Sequence, residues 1–319
     1  MKYQSFQDLK PGIALDKLQK KMKGCKVIIC DEFSMVGCRL FDCFERRCRQ
    51  ATGKAHLLFG GLSIVLVGDT RQLPPVLDRC LWNKIKTSTT YIRNAQFAFG
   101  EFKNVIRLEQ NHRQSDKNQE KFRQLLKRLR VCRSTKDDWK ILESRIRGNA
   151  ENESEFKNAT YLIYGREDVA SHNLTKILEI KQNNSNLKIF EIDAEHNHSK
   201  AQSFSANSFS SLEPHLTLIK GAKIMIINNL WTKYGITNGS FGIIMYIIYG
   251  PDKHPPSLPS SVIIKMDDDY NGPYLAKFKN HIVINPVTCF FEDTNFTYSR
   301  TQLPFVVAFA ITIYKCQGN

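Results

Sequence analysis

KVIICDEFSMVG (residues 26–37) and FGGLSIVLVGDTRQLPPV (residues 59–76), joined by a stretch of helical periodicity, decide how this chain folds. Both segments share one layout. A short, largely β-branched apolar run, Val27–Cys30 in the first and Ser63–Val67 in the second, ends on an acidic residue and a polar turn. Runs of this kind read as strands buried on both faces of a parallel sheet. The acids then stand at the carboxyl edge of the sheet, where open α/β folds bind their ligands.

At the first strand tip the acid is a pair, Asp31 and Glu32. The chain is turning there, so both carboxylates can face one pocket although neighbours within a strand point apart. In nucleotide hydrolases a strand-end aspartate holds Mg²⁺ and a nearby acid or amide orients the attacking water. The alternative is structural, with Asp31 capping the helical pattern that runs from Met35 to Arg49. At the second tip Gly68 and Asp69 lead into Arg71, Gln72 and the rigid pair Pro74 and Pro75. A glycine and an aspartate after a strand are by themselves an ordinary turn. A glutamine fixed by two prolines, one strand away from a carboxylate pair, is placed to hydrogen-bond a terminal phosphate or the water that attacks it.

Three further stretches extend the pattern: QNHRQSD (residues 110–116), the run GAKIMIINNL and TNGSFGIIM (residues 221–230 and 237–245), and AITIYKCQGN (residues 310–319). In this order the motifs resemble the petite integration frequency (Pif) type of superfamily-one DNA helicases, including those of Helitron-like mobile elements. The resemblance implies an α/β protein of two RecA-like parallel-sheet domains with a small β-barrel insertion. It also implies an ATP-driven motor moving 5′ to 3′ on single-stranded DNA and unwinding duplexes in repair, recombination or telomere maintenance. Mg²⁺ with ATP is then the cofactor, and single-stranded or forked DNA the partner.

Residue roles follow from the same resemblance. Asp31 is the Mg²⁺ ligand, Glu32 the base, and Asp69 and Gln72 face the nucleotide. Arg113 reaches the γ-phosphate from the second domain, an effect worth roughly 10³–10⁵ in rate where arginine fingers are known; the alternative is a salt bridge to Glu109 or Asp116. Thr312, Lys315 and Gln317 bind the DNA backbone, where hydroxyl, amide and ammonium groups suit phosphate oxygens. Tyr314 and Cys316 stand where the family carries histidine and serine.

One family motif is missing from the sequence. No GxxxxGKS or GxxxxGKT occurs, and the nearest glycine–lysine pair, Gly53–Lys54, is followed by Ala55. That loop's amides and lysine cradle the β- and γ-phosphates, and its hydroxyl shares the metal with the strand-end aspartate. Removing one preorganised donor of this sort typically costs roughly 3–4 kcal/mol of transition-state stabilisation. The expectation is therefore a helicase core incomplete at the N-terminus of its first domain and the C-terminus of its second, weak or inactive alone. The rival reading is a non-catalytic nucleic-acid-binding remnant or domesticated mobile-element fragment.

The chain has 46 Lys and Arg against 31 Asp and Glu, a net charge of +15, which points to a polyanionic partner. Fourteen of those cations, against six acids, fall between Lys103 and Arg147. They surround a stripe of Phe122, Leu125, Leu126 and Leu129 at helical spacing, so the segment reads either as a solvated helix face or as one facing DNA. No apolar run reaches the roughly 18 residues of a membrane span, and the reading is a soluble intracellular protein, in the nucleus rather than the mitochondrion. The nine cysteines form no zinc-type spacing and read as reduced, small hydrophobes. The expected domains are 1–104 (first RecA-like), 105–211 (start of the second), 212–300 (barrel) and 301–319 (return to the second).

Overall fold

The structure, a computed structural model, describes residues 8–110, 119–146, 156, 158–267, 270–275, 278–293 and 296–316. It divides into two compact units, Met1–Glu151 and Asn152–Asn319. The basic segment expected to open a second domain at residue 105 thus groups with the first unit.

In the first unit α1 (Ile13–Met22) precedes β1 (Val27–Cys30), and a 3-10 turn (Phe33–Met35) leads to α2 (Cys38–Thr52). The helix forms because Cys38, Phe41, Glu45 and Cys48 recur on one face, all buried. It stops at Gly53, which takes the left-handed conformation at φ 70° that glycine adopts without strain. Glu45 is tolerated inside because Arg49 pairs with it at 2.6 Å and its carboxylate accepts the Phe59 amide at 2.9 Å. Next come β2 (Ser63–Leu66), parallel to β1 with Val27 opposite Ser63, and α3 (Thr90–Gly100). A phenylalanine cluster, with Phe41 against Phe59 and Phe99 at ring distances of 5.7 and 6.4 Å, packs under Ile28, Ile64 and Leu66.

Only that face of the two-stranded sheet is covered. Val27, Ile29, Val65 and Val67 are exposed, Ile29 at 68%, contrary to the expectation of strands buried on both faces. The apolar runs could not distinguish the two cases, because a strand's composition does not say how many layers flank it. The apolar run at Val105 forms no strand: residues 102–110 have no regular structure, and Val105, Ile106 and Leu108 are exposed, with no strand partner among the described residues. After it come α4 (Glu120–Arg130) and α5 (Lys136–Glu143). Arg128 chelates buried Asp138, which also completes a capping box with Thr135 and whose carboxyl is held far below the usual range, first by that guanidinium. On α4 only Leu125 is buried; Phe122, Leu126 and Leu129 of the expected stripe are exposed.

The second unit starts with β3 (Tyr161–Ile163) and α6 (Arg166–Asn183), whose N-cap is Gly165. Then follow β4 (Ile189–Asp193), β5 (Glu195–His196), β6 (His215–Ile219), β7 (Lys223–Ile226), β8 (Phe241–Ile248), β9 (Ser261–Met266) and β10 (His281–Ile284). After these come β11 (Val287–Asp293), β12 (Phe296–Gln302), β13 (Phe305–Val307), β14 (Ala310–Thr312) and the short α7 (Ile313–Cys316). The main sheet is antiparallel in the order β10-β9-β8-β7-β13, with separate sheets β11-β12-β5 and β4-β6. The expected barrel is not closed: among the described residues β10 and β13 remain the two edges of an open sheet. β14 instead pairs in parallel with β3, Ala310 opposite Tyr161. The apolar run from Val306 to Ile311 is therefore split between two sheets.

A buried arginine ties the β-rich part together. Arg300 of β12, fully buried, donates Nε to His196 Nε2 at 2.9 Å and its other nitrogens to the carbonyls of Leu212, Ala201 and Phe204. It also lies 4.5 Å over the Phe209 ring. Its hydrogen-bond partners are an imidazole and three backbone carbonyls, with Glu213 contributing only coulombically, so hydrogen bonds satisfy the buried guanidinium.

Candidate functional site

The two strand tips are stitched to one another. The Val67 amide donates to the Cys30 carbonyl at 2.8 Å, and three residues further on the Phe33 amide donates back to the Val67 carbonyl at 3.1 Å. Asp31 and Glu32 lie between these two bonds, beside Gly68 and Asp69 of the neighbouring tip. The approach is so close that a Cβ on Gly68, at φ 153°, would stand 2.9 Å from the Phe33 ring and 3.0 Å from its nitrogen. Glycine is required there.

Glu32 takes the left-handed conformation at φ 52°, an uncommon one for a residue with a Cβ. Its amide donates to Asp31 Oδ1 at 2.8 Å, and the Asp31 carboxylate is exposed. Asp31 does not cap α2. The N-cap of that helix is Gly37, and the Arg39 amide in its first turn is satisfied by Asp78 Oδ2 at 2.9 Å. Gly37 admits this cap because a Cβ would fall 2.3 Å from the same oxygen. Asp78, at the end of the glutamine and proline loop, was missed in the sequence; it ties the loop back to α2, with the Cys38 amide donating to Arg79 at 2.9 Å.

The middle of the loop is held by α4. Both carboxylate oxygens of Asp69 are taken by Arg130 in a bidentate pair, one contact at 2.7 Å. Asp69 Oδ1 also accepts the Arg71 amide at 2.9 Å, and its carbonyl accepts the Gln72 amide at 3.0 Å. Arg130 first, with these donors, holds the Asp69 carboxyl below the usual carboxylate range. Arg71, Gln72, Arg123, Lys127 and Arg130 line an open cleft of about 630 Å³ beside it. Arg130 is thus a functional candidate the motif reading passed over; its only sequence signal was membership of the basic helix.

In the second unit Thr312 ends β14 and Lys315 lies in α7, half-buried, where burial pushes its ammonium pKa down against the opposing charge of Glu213, with Arg166 adding a smaller push. Asn173 of α6 fixes this strand, donating to the carbonyls of Val307 and Ala310 at 3.0 and 3.1 Å and accepting the Ala310 amide at 2.8 Å. Arg113 and Gln317 lie outside the described residues.

An exposed aspartate with oxygen donors only suits Mg²⁺, which usually keeps several waters and binds one or two carboxylates together with phosphates. Among the described residues no three His, Cys, Asp or Glu side chains gather into a protein cage for a metal, zinc included. The nine cysteines are free. Among the described residues no helix is long and apolar enough to cross a membrane.

Residues 5–139 match the family of PIF1-like helicases. The ATP-dependent DNA helicase PIF1 of Xenopus laevis is 27% identical over 97% of this chain and 42% of its own length. Pif1 of Campylobacter jejuni is 28% identical over 95% of this chain and 64% of its own. The chain therefore spans only two fifths to two thirds of these relatives. In fold it matches Pif1 helicase from Candida albicans at a TM-score of 0.67, with 20% identity over 97% of this chain and 70% of that one. It also matches Bacteroides Pif1 in complex with ADP-AlF3 and single-stranded DNA at 0.59, with 20% identity over 100% of this chain and 67% of that one. The α/β, RecA-like architecture is thus similar to that of solved Pif1 structures, and the similarity to curated Pif1 helicases runs along nearly the whole chain, with the PIF1-like family match confined to residues 5–139.

Proposed function

We propose that this chain carries the strand-tip acids, the sensor loop and the DNA-coupling strand of an ATP-dependent 5′-to-3′ DNA helicase. The observation that carries the reading is the pair of bonds joining the tips of β1 and β2, which sets Asp31 and Glu32 beside the Gly68–Gln72 loop. Asp31 would hold Mg²⁺, which when bound neutralises charge on the phosphates. Glu32 takes the proton of the attacking water, and its left-handed backbone turns its side chain away from the course of β1. Gln72 orients that water or the terminal phosphate, and Arg113 supplies a cation as charge develops. Thr312, Lys315 and Gln317 contact the backbone of single-stranded or forked DNA.

The 319 residues hold no phosphate-cradling GxxxxGKS or GxxxxGKT, so the expected turnover of this polypeptide is little or none. The purified chain is assayed for DNA-stimulated ATP hydrolysis beside Glu32→Gln. Robust hydrolysis that the substitution abolishes would establish catalysis and refute the expected weakness. Robust hydrolysis that survives it would remove Glu32 from the mechanism.

The +15 charge favours a second reading, a non-catalytic binder of nucleic acid. Such binding weakens steeply with salt as counterions are released. DNA affinity that does not change with ionic strength would exclude it.

A further inference from the structure

Arg130 comes from a helix that no motif marks, yet it grips the loop that carries Gln72. We propose that Arg130 is the positioning residue of this loop, fixing Asp69 so that Asp69 in turn sets the Gln72 side chain. The inference rests on the reading of Gln72 as the nucleotide sensor, and it adds a residue from α4 to that site.

Four bonds converge on Asp69. The guanidinium engages both carboxylate oxygens, the Arg71 amide adds a third bond, and the Gln72 amide a fourth, onto the Asp69 carbonyl. A carboxylate alone at a turn can rotate. One held bidentately by a planar guanidinium cannot, and the fork selects a single orientation as an ammonium would not. Arg130 sits in the last turn of α4, and the partner residue Asp138 anchors the neighbouring Arg128. The arginine is therefore presented from a helix that is itself fixed to α5. The loop is held at three points: at β2 by the Cys30 carbonyl, at α2 by Asp78, and between them by Arg130. Only the last of these reaches Gln72.

Arg130→Gln, Arg130→Lys and Asp69→Asn are compared with the unaltered full chain, without nucleotide. Three signals are read: titration of the Asp69 carboxyl carbon by NMR, the Gln72 side-chain amide resonance, and hydrogen exchange in peptides covering 68–77 and 120–130. With Arg130→Gln the Asp69 carboxyl should return to ordinary carboxylate titration and the Gln72 amide should move. Exchange in 68–77 should rise about tenfold, the size of one lost charge-assisted contact, while 120–130 stays protected. Arg130→Lys should recover part of each signal, because a point charge replaces one bond of the two. Unchanged Asp69 titration and an unmoved Gln72 amide in Arg130→Gln, with 120–130 still protected, would overturn the proposal. Should that variant lose protection in 120–130, Asp69→Asn decides the matter: a shifted Gln72 amide supports the clamp and an unshifted one refutes it. Adding Mg²⁺ with ATP to the unaltered chain tests the nucleotide reading separately. No change in 68–77 would count against that reading, whereas the clamp is judged on the nucleotide-free signals.

Discussion

Among the described residues there are two parallel strand pairs, and they are held in different ways. β1 and β2 lie about 36 residues apart in sequence, and β3 and β14 about 150, with the whole antiparallel part inserted between them. The near pair is held by its own tips and leaves one apolar face in solvent; the distant pair buries Ala310 and Ile311 and is held by Asn173 of α6. Each ends in residues proposed to do chemistry, Asp31 and Glu32 in one case and Thr312 and Lys315 in the other. The comparison teaches that a strand-tip site is positioned by whatever immobilises the tip. In the near pair that is backbone bonding between neighbours, and in the distant pair a side chain from a helix.

The sharpest test is to remove the side chain that holds the distant pair. Asn173→Ala would strand the Ala310 amide and the Val307 and Ala310 carbonyls, and should cost about 2–3 kcal/mol. Urea unfolding, together with exchange at β14, measures this. Protection at β1 and β2 should stay as it was, and equal loss in both pairs would break the comparison. A smaller effect, about 1–2 kcal/mol, is expected for Gly68→Ala, which forces a Cβ against Phe33 at a backbone angle that disfavours one. Here loss of protection should be confined to the near pair and the loop after it.

The smallest effect is a pH dependence belonging to the insertion between β3 and β14. Burial first, then the Arg300 charge, lowers the His196 pKa below 6.5. The unfolded chain then binds that proton more readily, so His196's contribution is full above pH 6.5 and is lost as pH falls toward the folded value. His215 runs the other way. Hydrogen bonds to Asp193, at 2.8 Å, and to Glu191 raise its pKa, so its contribution is full below 6.5 and is lost as pH rises through the folded value. NMR titration of the two imidazoles should place His196 below and His215 above 6.5. The reverse order would show that Arg300 is not felt at His196.

Legibility followed the same division. Val27–Cys30 and Ser63–Leu66 were readable as strands because each is a short β-branched run ending in a turn, and their parallel pairing needed only one helix between them. The complete burial expected of both runs was not readable, since it depends on layers elsewhere. Val105–Gln110 shows the converse: a strand-like run stays irregular when no neighbour pairs with it. The split of Val306–Ile311 between β13 and β14 follows from partners, Ile226 and Met225 for one and Leu162 for the other, that lie far away in sequence.

Local order along the chain alone determined the acid pair at the end of β1, the glycine and glutamine after β2, the basic stretch and the kinship that these motifs carry. Tertiary structure decided that Asp78 rather than Asp31 serves α2, that Arg130 holds Asp69, that Asn173 fixes β14, and that the antiparallel sheet stays open. The reason is physical: turn chemistry and short apolar runs act over a few residues. Ion pairs, caps and strand partners from distant segments exist only once chain folding has brought their atoms to within about 3 Å of each other.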